Sequence, residues 1–397
     1  MKIAFVGLYE EMNFGDPVIA ECTEWLFLNY LKKEIVQINR VCLDYSERHK
    51  KMNLTYIVYK IIREFTKRFR LRKWRKKNYR TLIWRTDLKY FKEKFIGSDF
   101  IVVVGGGLIK YKCQLCWLHL SAILDVAEEL NIPVFLNSLG VEGYDDSDER
   151  CVFLKKALQS KALKRVTLRD DYKLFLEKYL DNRKVPESAE VSDPAIWTKE
   201  VFEKYLDKVD VSKEIIGVGI ARGEIFESYG IMFSKENARH MYISLIKVLQ
   251  QKGFKVQLFT NGLVTDNKFA KEIFEELKSN GYCDISLQIP QNPKELISVI
   301  NSYKAVIATR LHACIISYSL NIPAIGIVWN DKFLLWGKKI GCPENFLKFG
   351  EWEPKNILAH LKEAIQSPYN EEYRQNLKES ISGDVKDIVR IMRKMKG

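Results

Sequence analysis

Residues 305–316, AVIATRLHACII, join an apolar strand-like run directly to an apolar helix-like run. Arg310 and His312 lie two residues apart at this junction. In an open α/β sheet such a junction marks the carboxyl end of a strand, where these sheets bind their ligands. The chain has five histidines, and the other four lie in ordinary sequence surroundings. Arg310 and His312 are therefore the first candidates for chemistry.

The same alternation of strand-like runs and amphipathic helices continues on both sides of this junction. It is typical of βαβ units and a mainly parallel sheet. A charged, strand-poor stretch at residues 198–214 separates two such series. We therefore predict an α/β fold with two Rossmann-like domains facing a cleft, as in GT-B type transferases. The expected limits are 1–200, with a basic helical insertion at about 50–95, then 201–365, and a C-terminal helix at 366–397.

The composition is that of a globular protein, with 397 residues, 47% hydrophobic content and a net charge of +13. No apolar run reaches the roughly 18 residues that span a bilayer, and the first residues resemble a buried strand more than a secretory signal. We expect a cytoplasmic location. Among the eight cysteines, Cys113 and Cys116 form one CxxC without a second pair at zinc-ligand spacing. The sequence predicts neither a metal site nor a cofactor.

The positive charge is concentrated in one segment. Between Lys60 and Lys94 there are 15 Lys and Arg and three acidic residues, so this stretch carries +12 and the rest is nearly neutral. Aromatic residues alternate with these cations, as in helices that lie on anionic membranes. One hypothesis is therefore peripheral attachment at the inner face of the cell membrane. Nucleic acid is a competing partner, which we do not expect, and a solvated helical hairpin with its aromatic residues in the core is a structural alternative.

Further candidate residues follow other predicted strands. Asn13 to Asp16 precede the first helix, where we expect Gly15 to adopt a tight turn with positive φ and Asp16 to cap the helix or accept a hydrogen bond from a hydroxyl. Gly105 to Gly107 directly follow the strand-like run at residues 101–104. Arg222 follows the run at residues 215–220, in a position equivalent to that of Arg310. Two arginines at one site suit a ligand with two anionic groups.

Several of these motifs resemble the polysaccharide pyruvyl transferase family, in the same order and over nearly the whole chain to about residue 339. The matching segments are Asn13-Phe14-Gly15-Asp16, Val104-Gly105-Gly106-Gly107, Val166-Thr167-Leu168-Arg169-Asp170, Ser192-Asp193-Pro194-Ala195, Thr309-Arg310-Leu311-His312 and Leu320-Asn321-Ile322-Pro323-Ala324-Ile325. The Arg-Leu-His element with its trailing Asn-Ile-Pro is the most specific of them. The basic segment near 60–94 has no counterpart in the family core.

The resemblance implies transfer of the pyruvyl group of phosphoenolpyruvate onto two hydroxyls of a sugar in a polysaccharide or lipid-linked oligosaccharide. A cyclic ketal forms and phosphate leaves. It also implies that Arg222, Arg310, Leu311 and His312 line the donor site. His312 is the residue expected to exchange protons near the phosphate.

The acceptor is expected on the side of the first domain. The residues assigned to it are Asn13, Asp16, Gly106, Gly107, Asn137 and Glu142, with Asp16 also a candidate catalytic base. Two alternatives remain open at this point. One is a GT-B glycosyltransferase that uses a nucleotide sugar, and the other is a non-catalytic glycan-binding protein.

Overall fold

The computed structural model describes residues 1–31, 36–43, 72–112, 114–183, 186–206, 214–282, 284–367 and 369–397. The chain divides into two compact units. Unit 1 comprises residues 1–10, 23–193 and 381–397, and unit 2 comprises residues 11–22 and 194–380. Cys113 and residues 60–71 of the basic segment lie outside the described residues.

Unit 1 is built on a six-stranded parallel sheet with the order β2-β1-β3-β5-β7-β8. Its strands are β1 (Lys2–Gly7), β2 (Gln37–Cys42), β3 (Phe100–Val104), β5 (Val134–Leu139), β7 (Leu163–Leu168) and β8 (Glu187–Glu190). A separate two-stranded sheet consists of β4 (Ile109–Lys110) and β6 (Val141–Glu142). The two central strands are β3 and β5, in which every residue is buried. Continuous apolar runs of this kind are typical of parallel strands covered on both faces.

The helices of the first half are α1 (Gly15–Leu31), α2 (Arg72–Phe95), α3 (Cys116–Glu129) and α4 (Glu149–Ala157). A short helical turn at Tyr172–Leu174 continues into a π-helical turn at Phe175–Tyr179. Asp148 caps α4 by accepting a hydrogen bond from the backbone N–H of Arg150 at 2.9 Å. Ten of the 14 residues of α3 are buried, as expected for a crossover helix packed between a sheet and a neighbouring helix.

Unit 2 contains a second six-stranded parallel sheet, with the order β11-β10-β9-β12-β13-β14. Its strands are β9 (Ile215–Gly219), β10 (Lys255–Phe259), β11 (Ile285–Gln288), β12 (Ala305–Ala308), β13 (Ala324–Ile327) and β14 (Phe346–Leu347). The helices are α5 (Lys235–Gln251), α6 (Val264–Ser279), α7 (Pro293–Asn301), α8 (Leu311–Ser319), α9 (Asp331–Lys339), α10 (Pro354–Gln366) and α11 (Glu371–Lys396). Short turns lie at Pro194–Trp197, Thr198–Val201, Glu203–Tyr205, Ile225–Ser228 and Pro343–Asn345.

The boundary between the units lies at Asp193 and Pro194, a few residues earlier than predicted. The reason is local packing against α8. Ser319 Oγ donates a hydrogen bond to the carbonyl oxygen of Ile196 at 2.8 Å and accepts one from the backbone N–H of Lys199 at 3.0 Å. These bonds attach residues 194–199 to unit 2.

The predicted C-terminal helix is present as α11, but it is not a separate segment. Residues 371–380 belong to unit 2, whereas residues 381–396 pack against unit 1. Ile381, Val385, Ile388 and Met392 are completely buried. Asp384, also buried, accepts hydrogen bonds from Asn137, Thr167 and Arg165 at 2.7 to 2.9 Å.

The C-terminal part of α2, where side chains are described, packs apolar and aromatic residues inward. Ile83, Phe91 and Phe95 are buried, and Tyr90 donates a hydrogen bond to the carbonyl oxygen of Cys42 at 3.2 Å. A membrane-facing aromatic surface is therefore wrong for these residues, because unit 1 uses them as core. Exposed cations remain at Arg85, Lys89 and Lys92. Within the described residues, no helix combines the length and apolar character that a bilayer crossing needs.

Candidate functional site

The neighbouring strands β9 and β12 place Arg222 and Arg310 at the same edge of the unit 2 sheet. The two strands pair in parallel, with Gly219 opposite Ala308 at their carboxyl ends. Arg222 lies three residues beyond the first strand and Arg310 two residues beyond the second. Arg310 has an extended backbone and immediately precedes α8. The strand-end position predicted for both arginines is therefore confirmed.

Asp266 holds the guanidinium of Arg310 in a bidentate ion pair. Nε and Nη2 of Arg310 donate to Oδ2 and Oδ1 of Asp266, both at 2.8 Å. Asp266 lies in the first turn of α6 and is completely buried, while the side chain of Arg310 is 14% exposed. Paired geometry of this kind fixes the orientation of an arginine as well as its charge. Asp266 uses the Nε N–H and one N–H of Nη2. The N–H groups of Nη1 and the second N–H of Nη2 are therefore those that a ligand can use.

The same carboxylate also fixes the backbone at Arg222. The N–H of Arg222 donates to Oδ1 of Asp266 at 3.0 Å. The Nε atom of Arg222 is buried and has no hydrogen-bond partner among the described residues. A buried donor of this kind is costly unless a ligand or water satisfies it. Asp266 thus connects the two arginines, and sequence analysis missed it, because an Asp in the first turn of a helix reads as a dipole or capping residue.

Three hydrogen bonds fix Thr309, the residue directly before Arg310. Its N–H donates to the carbonyl oxygen of Gly219, its hydroxyl bonds Tyr242 Oη at 2.7 Å, and its carbonyl oxygen accepts from Trp329 Nε1 at 2.6 Å. Burial raises the pKa of Tyr242 to about 12, so this phenol stays protonated at neutral pH. These contacts fix the backbone that carries Arg310 and His312.

His312 lies in the first turn of α8 in close contact with Gly15. A Cβ atom added at Gly15 would lie 2.3 Å from Cγ and 2.4 Å from Nδ1 of the His312 ring. The φ angle of Gly15 is not in the left-handed region, so the predicted positive φ is wrong. The glycine is required here because the ring of His312 occupies the space of a side chain. Leu311, between Arg310 and His312, is half-buried.

Asn13 and Asp16 belong to unit 2, together with His312, and not to the first domain as predicted. The N–H of Phe14 donates to the carbonyl oxygen of Asn261 at 2.9 Å, which anchors this loop at the end of β10. Asn13 Nδ2 donates to Oδ2 of Asp16 at 3.0 Å. The structure therefore brings Asp16, one residue after Gly15, into the neighbourhood of His312.

Gly106, Gly107 and Glu142 lie together in unit 1. The carbonyl oxygen of Gly106 accepts a hydrogen bond from the N–H of Gly140 at 2.8 Å, which ties the glycine loop to the segment entering β6. Glu142 ends β6 opposite Lys110 and is partly exposed. Gly106 is buried and Gly107 is half-buried. These three residues form a second group at the carboxyl edge of the unit 1 sheet.

Asn137 does not join that group. Its side chain is completely buried, and Nδ2 donates to Oδ2 of Asp384 at 2.8 Å. The assignment of Asn137 to an acceptor site is therefore not supported, because its amide anchors the C-terminal helix. Asp193 likewise has a structural contact, since its carboxylate pairs with Nη1 of Arg169 at 2.5 Å in a buried position.

Among the described residues of the site, no side chains are arranged for nucleophilic thiol or metal chemistry. The pKa of the Cys314 thiol, two residues after His312, is raised to about 12 by burial, so this cysteine is protonated at neutral pH. No group of three or more metal-ligating side chains occurs in the part of the chain that the structure describes. What the site offers is two guanidinium groups, one imidazole and one nearby carboxylate.

Comparison with known protein families decides the classification. The profile of the family described as "Polysaccharide pyruvyl transferase" matches residues 13–331, which include all of the site residues in both units. The chain belongs to the polysaccharide pyruvyl transferase family. Membership indicates a transferase that acts on polysaccharide. No curated protein sequence matches the chain significantly.

Solved structures agree on the fold. The chain is similar to UDP-GlcNAc 2-epimerase from Methanocaldococcus jannaschii, with 12% identity, a TM-score of 0.61 and 99% of each chain covered. It is also similar to UDP-GlcNAc 2-epimerase from Neisseria meningitidis, with 12% identity, a TM-score of 0.58 and 100% of each chain covered. At these identities the likeness concerns the fold alone. The predicted α/β class with two Rossmann-like domains of the GT-B type is confirmed.

Proposed function

We propose that the protein transfers the pyruvyl group of phosphoenolpyruvate onto two hydroxyls of one sugar in a polysaccharide or lipid-linked oligosaccharide. The observation that carries this proposal is the pair of arginines that Asp266 connects beside His312. Phosphoenolpyruvate has a carboxylate and a phosphate, and two guanidinium groups at one sheet edge suit two anionic groups. The family assignment supports the same reaction class.

Arg222 and Arg310 are the proposed donor-binding residues, with Leu311 beside them. Arg310 reaches the ligand with Nη1 and Nη2, because its Nε edge is occupied by Asp266. The buried Nε of Arg222 supplies a further donor. No metal or organic cofactor is part of the proposal, since these cations neutralise the donor.

His312 is the proposed proton donor and acceptor. The first sugar hydroxyl adds to C2 of phosphoenolpyruvate and gives its proton to Asp16, while C3 receives a proton from His312 and becomes a methyl group. The second hydroxyl then forms a bond to C2 as the C2–O bond to phosphate breaks, and its proton leaves with the phosphate. An imidazole suits both directions of transfer. Asp16, one residue after the glycine that contacts His312, is the proposed base for an acceptor hydroxyl.

The remaining acceptor contacts are proposed at Asn13, Gly106, Gly107 and Glu142. Backbone groups of the glycine loop and a carboxylate can hold neutral hydroxyls by hydrogen bonding. Attachment at the inner face of the cell membrane is proposed only through the exposed cations Arg85, Lys89 and Lys92. Flotation with anionic vesicles at low and high salt tests this attachment, and absence from the vesicles at low salt would exclude it.

The reaction is tested by incubating the protein with phosphoenolpyruvate and a panel of lipid-linked and aryl glycosides. We expect phosphate release coupled to a product that carries one pyruvyl ketal, detected by mass spectrometry. A parallel incubation with nucleotide sugars tests glycosyl transfer. A glycosylated product in that incubation, without phosphate release from phosphoenolpyruvate, would refute the proposal, and binding of glycan without any reaction would point to a binding protein.

A further inference from the structure

A groove on unit 2 has no role in the proposed reaction. It lies between α5 and the loop that joins β14 to α10, and it has a volume of about 360 Å³. This size falls in the range of small-molecule sites. One wall carries the aromatic residues Phe233, Phe349 and Trp352, and the other carries polar side chains that include Asn237 and Ser244.

The aromatic wall is a packed cluster with one ring turned outward. The ring centroids of Phe233 and Trp352 are 5.1 Å apart, and Phe349 lies 5.2 Å from Trp352 and 5.9 Å from Phe233. Trp352 is buried and its Nε1 donates to the carbonyl oxygen of Leu347 at 2.8 Å. Phe349 nevertheless remains 53% exposed. Exposure of an aromatic ring on top of a buried aromatic cluster indicates a contact surface.

The loop holds Phe349 in this position before any ligand binds. The N–H of Glu351 donates to the carbonyl oxygen of Lys348 at 2.9 Å, and the N–H of Lys348 donates to the Glu351 carboxylate at 2.6 Å. Gly350 has a φ of 97°, the left-handed conformation that the third residue of such a turn requires. A preformed turn reduces the ordering cost of binding.

The polar wall supplies hydrogen-bonding groups at a suitable spacing. Asn237 and Ser244 lie seven residues apart on the same face of α5, and Glu353 faces the groove from the opposite loop. All three residues are exposed. This groove has an exposed aromatic ring, a carboxylate on the same loop, and amide and hydroxyl groups on the facing helix. A pyranose is amphipathic in a matching way, because it has a C–H face and a rim of hydroxyls.

We infer that this groove binds pyranose residues of a polysaccharide away from the sugar that is modified. The C–H face of a pyranose stacks on Phe349, and its hydroxyls bond to Asn237, Ser244 and Glu353. The inference rests on the family's action on polysaccharide and not on the identity of the donor or on His312. Such a site would retain a long acceptor chain during the reaction.

The test is titration of the full-length protein with cellohexaose, maltohexaose and mannohexaose, followed by saturation-transfer NMR. We expect the unmodified protein to bind at least one hexasaccharide. Phe349→Ala should weaken this binding about tenfold, because it removes one stacking contact. Phe349→Trp should retain the binding. Tyr373→Ala is the matched control, because Tyr373 is a similarly exposed aromatic residue of unit 2, at 48%. His312→Ala should bind as the unmodified protein does.

Absence of binding to all three hexasaccharides would overturn the inference, as would equal affinity of Phe349→Ala and the unmodified protein. Loss of binding in Phe349→Trp together with Phe349→Ala would also overturn it, because stacking would then not be the cause. None of these readouts depends on turnover of phosphoenolpyruvate. The proposed reaction and the glycan groove can therefore fail separately.

Discussion

Arg310 and Asp266 form a bidentate ion pair at 2.8 Å in which the carboxylate is completely buried. Arg310 directly follows β12, and Asp266 lies in the first turn of α6, the helix after β10. Strands β12 and β10 flank β9 in the sheet. Asp266 also accepts the N–H of Arg222 after β9. One carboxylate therefore holds both the guanidinium of Arg310 and the backbone at Arg222.

Arg310→Lys should weaken donor binding about tenfold, the equivalent of one lost charge-assisted hydrogen bond. Lysine keeps the charge but cannot bond Asp266 and a ligand through a planar fork at the same time. The measurement is the KM for phosphoenolpyruvate in the phosphate-release assay, with Arg239→Lys as a control on the surface of α5. An unchanged KM would mean that Arg310 does not contact the donor.

Asp266→Ala should destabilise the protein by about 3 kcal/mol or more, because it leaves the largely buried guanidinium of Arg310 without its counterion. Urea unfolding followed by circular dichroism measures the loss. Asp266→Asn keeps an acceptor for the N–H of Arg222 and is expected to lose less stability while still raising the KM for phosphoenolpyruvate. If Asp266→Asn left that KM unchanged, Asp266 would support the fold without positioning Arg310.

The sequence allowed much of this architecture to be predicted, because βαβ patterns are local. The alternation of apolar runs and helices predicted both parallel sheets, and the junction at residues 305–316 placed Arg310 and His312 correctly at a strand end. The predicted limits of the two domains were less accurate than the predicted sheets. These limits depend on long-range packing, such as the bonds from Ser319 to residues 196 and 199, which no local pattern records.

The composition of the site was harder to predict than its location. Asp266 follows a strand by seven residues and looks like an ordinary helix-start carboxylate, so nothing in its neighbourhood indicates a partner. Asn13 precedes the first helix and Asp16 lies in its first turn, yet this segment packs onto unit 2 through the bond from Phe14 to Asn261. Asn137 shows the opposite error, since its strand-end position suggested a ligand and its partner is Asp384.

The pH dependence of stability should include a contribution from Asp148, the capping residue of α4. Hydrogen bonding to Arg150 lowers the pKa of this carboxyl to about 2. The carboxyl group of Asp in an unfolded chain has a pKa of about 3.9. The stabilisation that the Asp148 carboxylate provides is therefore fully present above about pH 4 and is lost as the pH falls through about 2. Asp148→Asn retains a cap but not the charge.

The difference in urea midpoint between the unmodified protein and Asp148→Asn should therefore shrink as the pH is lowered from about 5 towards 2. Asp146→Asn, at an exposed position two residues earlier, provides the comparison for a general change in net charge. A difference that stayed constant over this range would show that the ion pair with Arg150 does not contribute.

His312→Ala should lower turnover of phosphoenolpyruvate by about 10²-fold and leave the far-ultraviolet circular dichroism unchanged, because it removes a proton-transfer group from a partly exposed position. The KM for phosphoenolpyruvate should change less than kcat. Turnover close to that of the unmodified protein would exclude His312 as the acid or base.

Gly15→Ala should also lower turnover, although position 15 carries no functional group. Its new methyl group would lie 2.3 Å from Cγ of His312, closer than any real contact, so either the ring or the loop at Asn13 to Asp16 must move. A displacement of about 1 Å at a catalytic group can cost about 10²-fold in rate. We expect kcat to fall by more than a change in the melting temperature would explain, because the displaced group is the imidazole of His312.

Gly383→Ala is the matched control for this last change. Gly383 lies in α11 with open space where a Cβ would be placed, so alanine there should preserve turnover and favour the helix. The Gly15→Ala, His312→Ala double variant completes the test, because the added methyl group no longer meets an imidazole. If Gly15→Ala acts by displacing His312, it should reduce kcat in the unmodified background and have no further effect in His312→Ala. A further reduction in the double variant would place the effect of Gly15 elsewhere in the loop.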